Sequence, residues 1–126
     1  MSATRLYRIA RNLHLKKIPV IPMFMCKIIR ILYSCVVFPT SDLGKEIQLG
    51  YDGLGTVIHK NAIIGRKSMI ASGVTIEGNT VEFGVHTIGD NVKIGANSVI
   101  TKSVLSDSVI VGVNRIITKQ NINYYI

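Results

Sequence analysis

Tryptophan is absent from this chain of 126 residues, which has only three histidines and two cysteines. Its seven acidic residues face fifteen basic ones, and none of the seven falls within the first 38 positions. Cys26 and Cys35 have no metal-ligand spacing around them, and both sit in apolar sequence, so they read as buried reduced thiols of a cytoplasmic protein rather than a disulfide. A cleavable leader is not expected, because the first twenty residues lack a continuous apolar core and a small-residue cleavage site. The apolar stretch from Ile18 to Pro39 carries Lys27 and Arg30 centrally. A spanning helix needs about 20 largely uncharged residues, so this stretch reads as a surface attachment, not a span. No phosphate-binding glycine loop, paired-carboxylate hydrolase signature or nucleophile elbow is present.

What is there is uneven. Residues 1–38 hold Arg5, Arg8, Arg11, Lys16, Lys17, Lys27 and Arg30, while residues 39–126 hold eight basic and seven acidic side chains. Such a segment is suited to peripheral contact with anionic lipid at the inner face of a membrane. Nucleic acid is not expected as a partner, since Tyr7, Phe24 and Tyr33 belong to no recognisable nucleic-acid motif. Within the segment, helices are predicted over residues 5–17 and 23–37, separated by Pro19 and Pro22 and ended by Pro39. The second is apolar nearly all round, and must be covered by lipid, by another subunit or by the rest of the chain.

From Ile58 the chain repeats every six residues: IHKNAI, IGRKSM, IASGVT and IEGNTV, then from Ile88 IGDNVK, IGANSV and ITKSVL. Isoleucine opens all seven blocks, and the fifth place is always small or β-branched: Ala62, Ser68, Val74, Thr80, Val92, Ser98 and Val104. Neither a helix, with its apolar residues every three or four positions, nor a strand of period two keeps a six-residue phase. The phase predicts a parallel β-helix, a triangular prism in which the isoleucines fill a narrow interior at close-packed density. The next residue, as at Gly65, Ala71, Gly89 and Gly95, is expected to turn the corner, where a backbone bends tightly or is closely approached. Leu43 to Leu49 starts the prism and Gly50 to Gly55 makes a short excursion. The block Glu82 to Thr87 puts a carboxylate where isoleucine belongs, and is expected to leave the prism as a loop. The resulting organisation is a helical segment over 1–40, a β-helix over 41–118 and a tail over 119–126.

The run Tyr51-Asp52-Gly53-Leu54-Gly55-Thr56-Val57-Ile58-His59 resembles the Y-G-G-L-G-x-V-I-H stretch of serine-acetyltransferase-like members of the hexapeptide-repeat acyltransferases, a group associated with surface-polysaccharide synthesis. Val92 to Lys102 resembles the acetyl-CoA-binding coil of the same family, and Leu6 to Ala10 with Lys17-Ile18-Pro19 its leader. The resemblance implies a left-handed β-helix, acetyl-CoA as co-substrate without a metal, and a homotrimer with sites between neighbouring prisms.

Transfer of an acetyl group to a hydroxyl needs a base, and histidine suits the task because its ordinary pKa of about 6.5 lies near working pH. His59 follows an inward isoleucine, should point outward, and is the candidate base; a surface histidine capping a turn is the plainer account. Asp52, Glu82 and His86 are candidates to bind the acceptor, and His14 belongs to a solvated helix face. The resemblance places the cofactor along Gly95, Ala96 and Ser98, with Lys102, Arg115 and Lys119 available to its phosphates. The acceptor is expected to be a sugar hydroxyl in polysaccharide synthesis. The alternatives are L-serine, and a scaffold without catalysis. A zinc lyase on the same fold would need three converging histidines, and only His59 and His86 lie on the repeat.

Overall fold

The computed structural model describes residues 2–77 and 87–117. The eleven strands among these residues are short, because each face of the prism is only two or three residues wide before a corner intervenes. In chain order they are β1 (Asp42–Leu43), β2 (Gln48–Leu49), β3 (Val57–Ile58), β4 (Ile63–Ile64), β5 (Met69–Ile70), β6 (Thr75–Ile76), β7 (Thr87–Ile88), β8 (Lys93–Ile94), β9 (Val99–Ile100), β10 (Val109–Val111) and β11 (Arg115–Ile117). They form three sheets. The first is β1-β4-β7, the second β2-β5-β8-β10 edged by β11, and the third β3-β6-β9. All pairings are parallel except β10 with β11.

The register stacks like on like: Leu43, Ile64 and Ile88 on the first face, Leu49, Ile70, Ile94 and Ile110 on the second, and Ile58, Ile76 and Ile100 on the third. All seven repeat-opening isoleucines are at most 3% exposed. Each contributes roughly 1.5–3 kcal/mol by leaving water. Fifth-place residues Ala62, Ser68, Val74, Val92, Ser98 and Val104 are buried beside them; Thr80 lies outside the described residues.

The corners correct one expectation. Glycine in second place does not supply a left-handed turn; that turn falls two residues later, at Lys67, Gly73, Asn91 and Asn97, with φ between 54° and 72°. The second-place glycine answers close approach between coils instead. A Cβ on Gly65 would stand 2.5 Å from the backbone of Gly89, and one on Gly89 would stand 2.5 Å from the backbone of Ser106. Side chains stitch the same corner: Asp90 Oδ1 accepts from Arg66 N–H at 2.8 Å, and Asn91 Nδ2 donates to Asp107 Oδ1 at 2.9 Å.

Where Ile58 and Ile64 are six positions apart, Ile76 and Ile88 are twelve apart and still occupy successive faces. The block expected to leave the prism falls in this longer interval. Glu82 and His86 fall in that stretch, outside the described residues.

Helices α1 (Ala3–Leu15) and α2 (Ile21–Tyr33) begin and end earlier than the sequence pattern suggests. Pro22 is not a separator: it stands in the first turn of α2, where its missing N–H costs nothing. A solenoid's first coil has no predecessor to accept from or donate to it, and α1 fills that role. The Tyr7 hydroxyl donates to Ser41 C=O and accepts from Leu43 N–H at 3.1 Å. Arg8 donates to Leu43 C=O at 2.5 Å and to Gly44 C=O, and Arg11 to Pro39 C=O at 3.0 Å. Ala3, Tyr7, Ala10, Cys26 and Ile29 join the core of the prism, so helices and β-helix share one interior.

Candidate functional site

Along the second sheet runs an open groove of about 470 Å³. Its floor is the column that follows the inward residues of β2, β5 and β8, namely Gly50, Ala71 and Gly95; Met69 and Lys93 line it from the neighbouring outward column, and Val111 and Ile117 line its β10–β11 end. Four strands at about 4.8 Å spacing make it roughly 14 Å long. Small residues keep the floor low and closely stacked: a Cβ on Gly50 would meet Ala71 Cα at 3.2 Å, and one on Gly95 would meet Val111 Cγ1 at 3.3 Å. An apolar slot of this length with cations at its rim fits a thin amide-bearing chain ending in phosphates.

Of the residues that the resemblance assigns to the cofactor, Gly95 lines the groove, and exposed Ala96 follows it in the chain. Ser98 does not reach the slot, being fully buried with its hydroxyl donating to Gly95 C=O at 2.6 Å. Arg115 is exposed on β11 and pairs with Val111 at the groove wall. Lys102 is also exposed but follows β9, at the corner beyond the third face. Lys119 lies outside the described residues. Lys93, Gly50 and Ala71 also line the groove, though the sequence did not single them out as cofactor residues. The signal was available: the coil register aligns Gln48, Met69, Lys93 and Val109 as one outward column.

Between β2 and β3 the chain leaves the prism at the end of this floor. Tyr51 and Asp52 adopt φ of 50° and 54°, a left-handed pair in residues other than glycine. Such conformations cost about 1–3 kcal/mol each and persist only where the surroundings impose them. Gly53 follows at φ 79°, packed so closely that a Cβ would lie 2.6 Å from Cys35 Sγ. The turn holds Tyr51 84% exposed and Asp52 half-buried beside the groove.

His59 follows β3, so it occupies the corner between the third and first faces, away from the groove of its own chain. It is half-buried, and Nδ1 accepts from Asn61 N–H at 3.0 Å. That bond puts the hydrogen of the neutral ring on Nε2. Glu77 occupies the equivalent corner one coil on, since Ile58 pairs with Ile76. Among the described residues no hydrogen bond joins His59 to Asp52, and no three His, Cys, Asp or Glu side chains cluster as metal ligands.

No family model matches the chain. A serine acetyltransferase from Synechococcus elongatus is 32% identical over 120 residues, spanning 79% of this chain and 49% of that protein. One from Staphylococcus xylosus is 31% identical, spanning 78% of this chain and 54% of that protein. Among solved structures, the serine acetyltransferase of Neisseria gonorrhoeae superposes with a TM-score of 0.79 at 25% identity, over 92% of this chain and 53% of that one. The soybean apoenzyme, at 23% identity and a TM-score of 0.77, shares the fold. In its repeat, prism and groove the chain is similar to the hexapeptide-repeat acyltransferases, the family of these relatives. The relatives named within that class are serine acetyltransferases, and the chain spans about half the length of those it matches.

Proposed function

We propose that the protein transfers the acetyl group of acetyl-CoA to the hydroxyl of L-serine, giving O-acetylserine and free CoA. The observation that carries this reading is the apolar, small-floored groove ending at the Tyr51–Asp52 turn, on a chain whose relatives bear the serine acetyltransferase name. The Neisseria enzyme is also known in complex with serine. A sugar hydroxyl, the acceptor suggested by the basic N-terminal segment, gives way to serine because the matched relatives are named for serine. The superpositions support the left-handed winding that the hexapeptide resemblance implies.

The pantetheine lies along Gly50, Ala71 and Gly95, and Lys93 and Arg115 meet the phosphates. Asp52 receives the ammonium group of serine, with Glu82 and His86 as further acceptor groups. His59 takes the hydroxyl proton as oxygen attacks the thioester carbonyl, and hands it to the departing thiolate as the C–S bond breaks. The proton goes to Nδ1, the nitrogen otherwise held by Asn61 N–H, and Glu77 steadies the cationic ring. His59 and the groove lie on different corners of one prism, so a cyclic trimer completes each site by setting the histidine corner of one copy against the groove of the next. Two buried free thiols support a reducing, cytoplasmic setting.

Release of CoA thiol, followed with L-serine and with a panel of sugars, tests the acceptor: serine should be the best substrate, and a sugar turned over faster would overturn it. His59→Ala should lower kcat by about 10²–10⁴-fold with little change in KM for acetyl-CoA. An unchanged kcat would leave His59 as the turn cap that its Asn61 bond describes.

A further inference from the structure

The strongest feature outside the groove is the outer face of α2. Pro22, Cys26 and Ile29 turn inward, while Val20, Ile21, Phe24, Ile31 and Leu32 stay exposed, with Val20 and Ile31 each at 79%. At 100° per residue, Phe24 and Ile31 fall within about 20° of one another and form an outward stripe, preceded by the exposed N-cap residue Val20. Exposed Lys27 and Arg30 run along one shoulder, and the link to α1 adds exposed Leu15, Lys16 and Lys17. A hollow of about 100 Å³ opens on the same shoulder, lined by Met23, Lys27, Arg30 and Val36 to Phe38. Soluble domains rarely leave so continuous an apolar patch uncovered.

Charge selects the occupant. The first 38 residues hold seven basic and no acidic side chains, so a second copy seated face to face would oppose Lys27 and Arg30 with themselves. An anionic bilayer surface meets both features, since apolar side chains enter the acyl boundary while cations stay among the headgroups. No helix among the described residues is long and apolar enough to cross a membrane, and α2, thirteen residues long, would lie along the interface. We infer that the Phe24–Ile31 stripe of α2, with Val20, Lys16, Lys17, Lys27 and Arg30, docks this protein on an anionic lipid surface.

Co-sedimentation of the full chain with phosphatidylcholine vesicles and with vesicles containing phosphatidylglycerol tests this independently of any enzyme activity. Binding should appear only on the anionic vesicles and weaken with salt. Lys27→Glu with Arg30→Glu should reduce partitioning at least about fivefold per cation, and Phe24→Ser with Ile31→Ser should abolish it. All four positions are exposed, so circular dichroism should be unchanged. No sedimentation, equal sedimentation on neutral vesicles, or a stripe whose loss only dissociates an oligomer in lipid-free solution would overturn the inference.

Discussion

Tyr7 shows how much one side chain can hold. Its hydroxyl satisfies Ser41 C=O and Leu43 N–H at the otherwise open edge of the first coil, and burial pushes its pKa up. Tyr7→Phe keeps the packing but orphans both backbone groups, so urea unfolding should lose about 1–3 kcal/mol; a midpoint equal to wild type would show that water replaces the hydroxyl. The cysteines make a second prediction. Burial pushes both thiols up to about 11, whereas unfolded thiols titrate near about 8.5. Below about pH 8.5 neither state ionises and stability is full; as pH rises toward 11 the unfolded chain gives up protons that the folded chain keeps, and stability falls. Urea midpoints should decline from about pH 8 to about pH 10.5, less steeply in Cys35→Ala, and the native thiols should react slowly with a disulfide reagent until denatured.

At the scale of the element, the six-residue phase made the prism legible, because a triangular interior accepts one aliphatic per face and the sequence supplies isoleucine each time. Ile76→Ala should cost about 2–5 kcal/mol, since neither Ile58 nor Ile100 can move into the gap without breaking its own register; a loss under about 1 kcal/mol would mean the coils collapse freely. The corners were less legible. Gly65 and Gly89 mark the close approach between coils, whereas Lys67 and Asn91 take left-handed φ without being glycine, so composition did not show where the left-handed residue falls. The helix ends shifted because Pro22 is as compatible with a first turn as with a break. Gly95 and the excursion at Tyr51–Asp52 could be read directly, whereas the inward turn of Ser98 and the place of Lys93 in the groove depend on coil register.

At the scale of the molecule, the prism is closed at its first coil by Tyr7, Arg8 and Arg11 and edged at the far end by the antiparallel β11. Between those ends one face remains open as a slot with a floor of glycine and alanine. That the slot receives acetyl-CoA is the claim on which the chemistry depends. Calorimetric titration of CoA into the full chain and into Ala71→Phe, a substitution that fills the slot from its floor, tests it most directly. Wild type should bind, and the variant should bind at least about tenfold more weakly, a loss of about 1.4 kcal/mol, with an unchanged melting temperature. Equal affinity in the two proteins, or none in wild type, would contradict the account.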